Sequence, residues 1–269
     1  VIHLVLPDAQ ITPWSNTAFV GWIGRYIVDH FSGKDLTIIN LGDWFDMPSL
    51  SSYDRGKRVF EGRRYVDDIQ AGSRALDVLM APLLEHQAEQ RQRKVKQWNP
   101  RRVYILGNHE ERILRATNDE AMLDGALSLS HVTEPFVRQG WEVYDFLEVI
   151  DIDGIKYAHY FTNPANGRPL SGMIETRLKN IGCSFVQGHQ QGLKSGMLET
   201  VSGRRRGIVA GSCYLDEQSY RGPQGREEWR GVLVLHEVAN GDFDLMEVSL
   251  SYLCRRYEGI SLSEFISRS

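Results

Sequence analysis

Leu36-Thr37-Ile38-Ile39-Asn40-Leu41-Gly42-Asp43-Trp44-Phe45-Asp46 decides how the rest of the sequence is read. A run of β-forming residues passes straight into a glycine and two acids, the pattern of a buried strand that stops at a polar turn. The same arrangement occurs twice more. Residues 2–6 end at Pro7-Asp8-Ala9-Gln10, and residues 103–106 end at Gly107-Asn108-His109-Glu110. Helical patterns lie between these strands. Apolar positions 19, 20, 23, 27, 28 and 31 follow the i, i+3, i+4 rule, as do 65, 66, 69, 76, 79, 80, 83 and 84. Pro82 is expected to kink or interrupt the second helix, because it lacks the N–H that the ladder needs. Alternating strand and helix predicts βαβ units and a largely parallel sheet in this half.

The second half reads differently. Residues 147–152 and 155–159 flank Asp153-Gly154, a pair that supplies the positive φ a tight hairpin turn requires. Further strands are expected at 184–187, 207–210, 232–238 and 243–250, with Asn240-Gly241 marking another turn. Arg204-Arg205-Arg206 lies between glycines and reads as a turn. No internal repeat, low-complexity stretch or long linker interrupts the sequence. The expectation is one α/β domain over residues 1–269 with two packed sheets, and a basic helical crossover at about 51–102.

The 269 residues are 42% hydrophobic and 25% charged, which excludes a disordered, collagen-like or coiled-coil chain. No apolar run approaches the roughly 20 residues that span a bilayer, and no basic-plus-apolar leader opens the sequence. A cytoplasmic protein without a membrane partner is expected. Cys183, Cys213 and Cys254 form no CxxC pair, so they read as incidental thiols. The net charge of −4 gives no global attraction to nucleic acid. Residues 54–102 depart from that balance, with 12 Lys/Arg against 7 Asp/Glu. The segment could track a phosphate backbone, or it could be a crossover helix with a solvated basic face.

In α/β sheets ligands gather at the carboxyl ends of the strands. Five polar groups stand at such places: Asp8 with Gln10; Asp43 with Asp46; Asn108 with His109; His159; and His189 with Gln191 in Gly188-His189-Gln190-Gln191. Any one of them could be a cap or a satisfied core residue. Five in one chain suggest a shared site.

In this order the groups resemble the calcineurin-like metallophosphoesterases, whose pattern is D-x-H, G-D-x-x-D, G-N-H-[ED], a lone H, then G-H-x-H. The resemblance spans residues 8–191. It implies a four-layer αββα sandwich of two mixed β-sheets flanked by helices, with two divalent cations at one edge. Carried over, Asp8, Gln10, Asp43 and Gln191 would hold one cation, and Asp43, Asn108, His159 and His189 the other, with Asp43 shared. Such a pair sits roughly 3.5–4 Å apart and lowers the pKa of a shared water from about 15.7 toward about 7, giving a hydroxide that attacks phosphorus. His109 would be the general acid and Asp46 would orient it; Glu110 would support the ligands rather than be one.

The departures from the family pattern are informative. Gln10 and Gln191 stand where the family usually has His on the first metal, leaving that site only oxygen donors. Hard donors favour Mn²⁺ or Mg²⁺ over Zn²⁺, so Mn²⁺ is expected, with Mg²⁺, Fe or Zn²⁺ as alternatives. The activity implied is metal-dependent phosphate ester hydrolysis, directed at nucleic acid or nucleotides by a nuclease, phosphodiesterase or phosphatase. Trp44 and Phe45, with Trp14 and Tyr53, could stack on bases. A Ser/Thr-type phosphoprotein phosphatase is the second reading, because Ile11 and Met47 replace the glycine and the phosphate-clamping arginine of that group; Arg112, just beyond the G-N-H-E motif, is the candidate clamp in its place. A reading of another class is a non-catalytic metal-binding scaffold, against which His109 argues.

Overall fold

The computed structural model describes residues 1–201, 203–215 and 228–268. The first sheet contains β1 (Ile2–Leu6), β2 (Leu36–Asn40), β3 (Arg101–Ile105), β4 (Glu142–Tyr144), β10 (Gly231–Ala239) and β11 (Asp242–Ser249), ordered β11-β10-β1-β2-β3-β4. β1 to β4 are parallel neighbours, and β10 and β11 add an antiparallel edge. The second sheet contains β5 (Ile150–Ile152), β6 (Ile155–Ala158), β7 (Phe185–Gln187), β8 (Leu193–Thr200) and β9 (Gly203–Ala210), ordered β5-β6-β7-β9-β8. In it β6, β7 and β9 are parallel, and β5 and β8 pair antiparallel at the edges.

Period-two alternation explains why two sheets stack and helices cover both outer faces. Val5, Ile39, Val103, Ile105, Leu233 and Leu235 point inward against Ile155, Tyr157, Val186 and Ile208 of the second sheet. Their neighbours Leu4, Leu6, Ile38, Tyr104, Val232 and Val234 point outward to the helices α1 (Ala18–Phe31), α2 (Tyr65–Gln92), α3 (Arg112–Asp119), α4 (Ser130–Arg138) and α6 (Leu250–Glu258). On the far side, Ala158, Phe185 and Val209 pack against Ile174 and Leu178 of α5 (Ile174–Ile181). A slip of one residue in any of these strands would exchange two hydrophobic interfaces. His3 adds a polar tie between the sheets. Fully buried on β1, it meets the Tyr157 hydroxyl at 2.7 Å and Asp153 at 2.9 Å.

Both expected hairpin turns are present, with positive φ at Asp153 and Gly154 and again at Asn240 and Gly241. Other expectations need correction. α2 is not interrupted at Pro82. Its buried stripe of Ala75, Leu76, Leu79, Met80 and Leu83 continues on both sides of the proline, so packing outweighs the roughly 3 kcal/mol penalty. Arg204-Arg205-Arg206 lies in β9, where Arg204 and Arg206 share one face and both pair with Asp242 of β11. The basic segment is also not one surface. Arg55, Lys57, Arg58 and Arg64 precede α2, whereas Arg91, Arg93, Lys94 and Lys96 are at its other end, and 28 helical residues separate them by about 40 Å. The second cluster lies at the start of β3, away from the strand ends that carry Asp43 and Asn108. Among the described residues no helix is long and apolar enough to cross a membrane.

Candidate metal centre

The groups separated in sequence follow strands that are neighbours in space: β1, β2 and β3 in one sheet, β6 and β7 in the other. Beyond the strands, the loops stay zipped together. Gln10 and Ile11 donate their N–H groups to the carbonyls of Asp43 and Trp44, both at 2.8 Å, and Asp46 returns one to Ile11 at 3.0 Å. Across the sheets, the Cys213 N–H donates to the Asp8 carbonyl at 2.9 Å. Glu110 pins the centre from below, its carboxylate accepting N–H groups from Asp43 (3.0 Å), Gly107 (2.8 Å) and Phe45 (2.9 Å). Gln10, Asp43 and His189 all have positive φ, a backbone strain that gathers where side chains must be aimed. Glycine is required at 107, since a Cβ there would lie 2.2 Å from Asp43 Oδ1.

One ligand atom each from Asp43, His159 and His189 lies within 4.8 Å of the others. His159 is fully buried and its Nδ1–H donates to the Leu41 carbonyl at 2.7 Å, which fixes the ring with Nε2 turned toward the cluster. That Nε2 is 3.5 Å from Asp43 Oδ1 and 2.9 Å from Asn108 Oδ1. His189 Nδ1 approaches the same amide oxygen at 2.7 Å. Two acceptors at that separation suit a cation between them. The reversed amide would satisfy the rings with N–H groups instead, so the stronger test is Asp8. Its Oδ1 accepts the His189 N–H at 3.0 Å, while Oδ2, fully buried, has no partner. Burial, then the neighbouring Asp43, pushes the Asp8 carboxyl up to about 7. Asp43 goes the other way: burial alone would raise it, but His109 and His159 hold it below the usual carboxylate range. His189 is held down at about 4 by burial and by His159, so it is a neutral imidazole, the form that binds metals. The residues therefore fit divalent cations.

The two glutamines sit beside this cluster. Gln10 is buried on the zipped loop, and the Gln191 Oε1 accepts the Tyr214 hydroxyl at 2.8 Å. His109 Nδ1 contacts the Asp46 carboxylate at 2.8 Å, and its Nε2 lies 3.7 Å from Asp43 Oδ2. Burial works against its charge, yet Asp43 and Asp46 overcome that and hold it up at about 9. Arg112 Nη2, 3.2 Å from the same Nε2, suits a neutral ring; the two carboxylates outweigh it. Arg112 also donates to the Asp46 and Met47 carbonyls at 2.7 and 3.2 Å, so it braces the turn beside His109.

Trp44 and Phe45 are corrections. Both are buried in the helix-side core, Trp44 donating to the Gly72 carbonyl at 2.9 Å and Phe45 packing on Gly72, so neither offers a face to a ligand. Trp14 and Tyr53 are exposed. Sequence reasoning also missed Tyr214 and Arg177. Nothing marks the tyrosine, but Arg177 interrupts the apolar stripe of Ile174 and Leu178, a signal that could have found it.

No protein-family model and no curated protein matches this sequence.

Proposed function

We propose that the protein is a metal-dependent phosphoesterase of calcineurin-like type, with the strand-end cluster as its metal centre and the metallophosphoesterase sandwich as its fold. The observation that carries the reading is Asp8, a fully buried carboxylate with one partnerless oxygen beside Asp43, His159 and His189. An uncompensated buried charge costs several kcal/mol, and a cation removes that cost.

Asp8, Asp43, Asn108, His159 and His189 would hold two divalent cations, with amide oxygens from Gln10 and Gln191 at the first; this donor set suits Mn²⁺. Bound there, such cations supply Lewis acidity, neutralising phosphoryl charge and bringing the pKa of water toward neutrality. The remaining steps belong to the side chains. The Nδ1–H of His109 is held against the Asp46 carboxylate, and the proton carried on Nε2 of the same imidazolium is the one delivered to the leaving oxygen. Asp46 fixes the ring, and Arg112 places positive charge beside it. Nucleotides or nucleic acid are the substrate class this reading favours. A hollow of about 510 Å³ lined by Trp14, Arg63 and Arg64, with Glu61 and Asp67 beside them, offers an exposed aromatic face on which a base could stack. The proposal takes the protein as cytoplasmic, in keeping with its free thiols Cys183, Cys213 and Cys254.

The test is hydrolysis of bis-p-nitrophenyl phosphate and p-nitrophenyl phosphate with Mn²⁺, with His109→Ala as control. Preference for the diester supports a nuclease or phosphodiesterase, and preference for the monoester a phosphatase. Silence with every divalent metal overturns the enzyme reading in favour of a scaffold.

A further inference from the structure

The loop that carries His189 has a second neighbour that the metal cluster does not use. Arg177 of α5 is only 1% exposed. Its Nε donates to the Gly172 carbonyl at 3.1 Å and its Nη2 to Gln190 Oε1 at 2.7 Å, while Nη1, equally buried, has no partner. Both acceptors are neutral. A guanidinium cannot shed its proton, so among the described residues this is a buried cation with no carboxylate against it. Two bonds to neutral oxygens do not require a charge; a bound anion does.

Arg177 lines an open hollow of about 790 Å³ together with Gln190, Gln191, Lys194, Met173 and Glu228. Among the described residues that line it, two cations face one carboxylate. Met173 is also the N-cap of α5 and supplies no side-chain acceptor, so the amides that open the helix lean positive toward the same space. The volume is within the range of small-ligand sites and far exceeds a lone phosphate, so the anion would arrive as part of a larger molecule. Gln190, which orients the guanidinium, directly follows His189 of the metal cluster, and Gln191 lines the hollow.

We propose that this hollow is an anion subsite in which Arg177, with Lys194 at its rim, holds a second phosphate group of the substrate. The substrate class is then a molecule with at least two phosphates, such as a nucleoside bisphosphate or an oligonucleotide, rather than a small monoester. The identity of the anion rests on the phosphoesterase reading; the existence of the subsite rests on Arg177.

Two measurements keep those apart. Metal-free protein in EDTA is titrated with inorganic pyrophosphate by calorimetry; the parent chain binds, and Arg177→Gln weakens binding at least about tenfold, the scale of a lost charge-assisted contact. Lys194→Gln, at an exposed position, weakens it by a smaller factor and covers the case in which the Arg177 variant does not fold. With Mn²⁺, kcat/KM is compared for the p-nitrophenyl ester of thymidine 5′-phosphate with and without a 3′-phosphate. Arg177→Gln loses at least about tenfold more on the doubly phosphorylated ester, mainly through KM. Absent pyrophosphate binding, or affinity unchanged in both variants, overturns the subsite. Equal losses on the two esters overturn its role toward a second phosphate. Failure to hydrolyse any ester strikes the phosphoesterase reading, and the titration still decides the subsite.

Discussion

Asp8 and His189 are joined across the two sheets, the Asp8 Oδ1 accepting the His189 N–H at 3.0 Å. Asp8 follows β1 and His189 follows β7, so this bond and the candidate metal centre form only when both sheets are docked. The folded carboxyl titrates at about 7 against 3.8 for the ordinary group, which makes the ionised form a liability without metal. By linkage the penalty is absent below pH 4, grows between there and 7, and is complete above. Asp8→Asn keeps the acceptor oxygen and removes the charge. It should raise the melting temperature of EDTA-treated protein at pH 8 by several degrees while weakening Mn²⁺ binding at least about tenfold. Unchanged Mn²⁺ affinity in calorimetry would remove Asp8 from the ligand set.

Gly107→Ala tests the crossing of two loops. The added methyl would meet Asp43 Oδ1 at 2.2 Å and Asp43 N at 2.3 Å, and backbone cannot yield as a flexible side chain does. A stability loss of about 1–3 kcal/mol is expected, with Mn²⁺ binding impaired as Asp43 is displaced. Thermal melts with and without Mn²⁺ check both.

His109→Ala should lower kcat by about 10²–10⁴ with a smaller change in KM, the signature of a lost proton donor. Asp46→Asn removes part of what holds the His109 pKa up. The ring then loses its proton at lower pH, so the alkaline limb of the kcat profile should move down. A profile that stays in place would mean another group is the acid.

Asp68 supplies a pH-dependent prediction away from the candidate metal centre. It is fully buried, its Oδ2 accepts the Ser49 N–H at 3.0 Å, and Oδ1 has no partner. Burial pushes it up to about 6 from 3.8. A raised carboxyl destabilises the fold increasingly between pH 4 and 6 and fully above, by something on the order of 3 kcal/mol. Asp68→Asn should therefore raise the urea midpoint at pH 7 and leave it little changed at pH 4. Equal gains at both values would contradict the assignment.

The Gln10→His, Gln191→His double variant would give the first metal position two imidazoles. Zn²⁺ retained after dialysis should rise relative to Mn²⁺, measured by elemental analysis. Since the Gln191 Oε1 also accepts the Tyr214 hydroxyl, Tyr214→Phe should not reproduce this shift, because it changes no donor type.

Much of the first sheet was legible because buried parallel strands are apolar runs with sharp ends. β1, β2 and β3 and the Asp, Asn and His residues after them could be read directly. β4 and β8 could not. β4 is three residues long at an edge, and β8 is mostly exposed, so neither has a continuous apolar signature. The polar half of α2 beyond residue 84 was equally silent, since Gln87 and Gln90 hold it by bonding Trp98 rather than by an apolar stripe. At the site, the residue types were visible but their burial was not. Trp44 and Phe45 follow the key strand just as a substrate platform would, and only the packing against Gly72 shows that they belong to the interior.

The separation of the two basic clusters by the length of α2 limits how any polyanion could use both. At about 3.4 Å per step, a duplex would need roughly a dozen base pairs to reach from one end of that helix to the other. Shorter oligomers would touch one end only. The salt sensitivity of binding should then climb with oligomer length until that span is reached and level off beyond it.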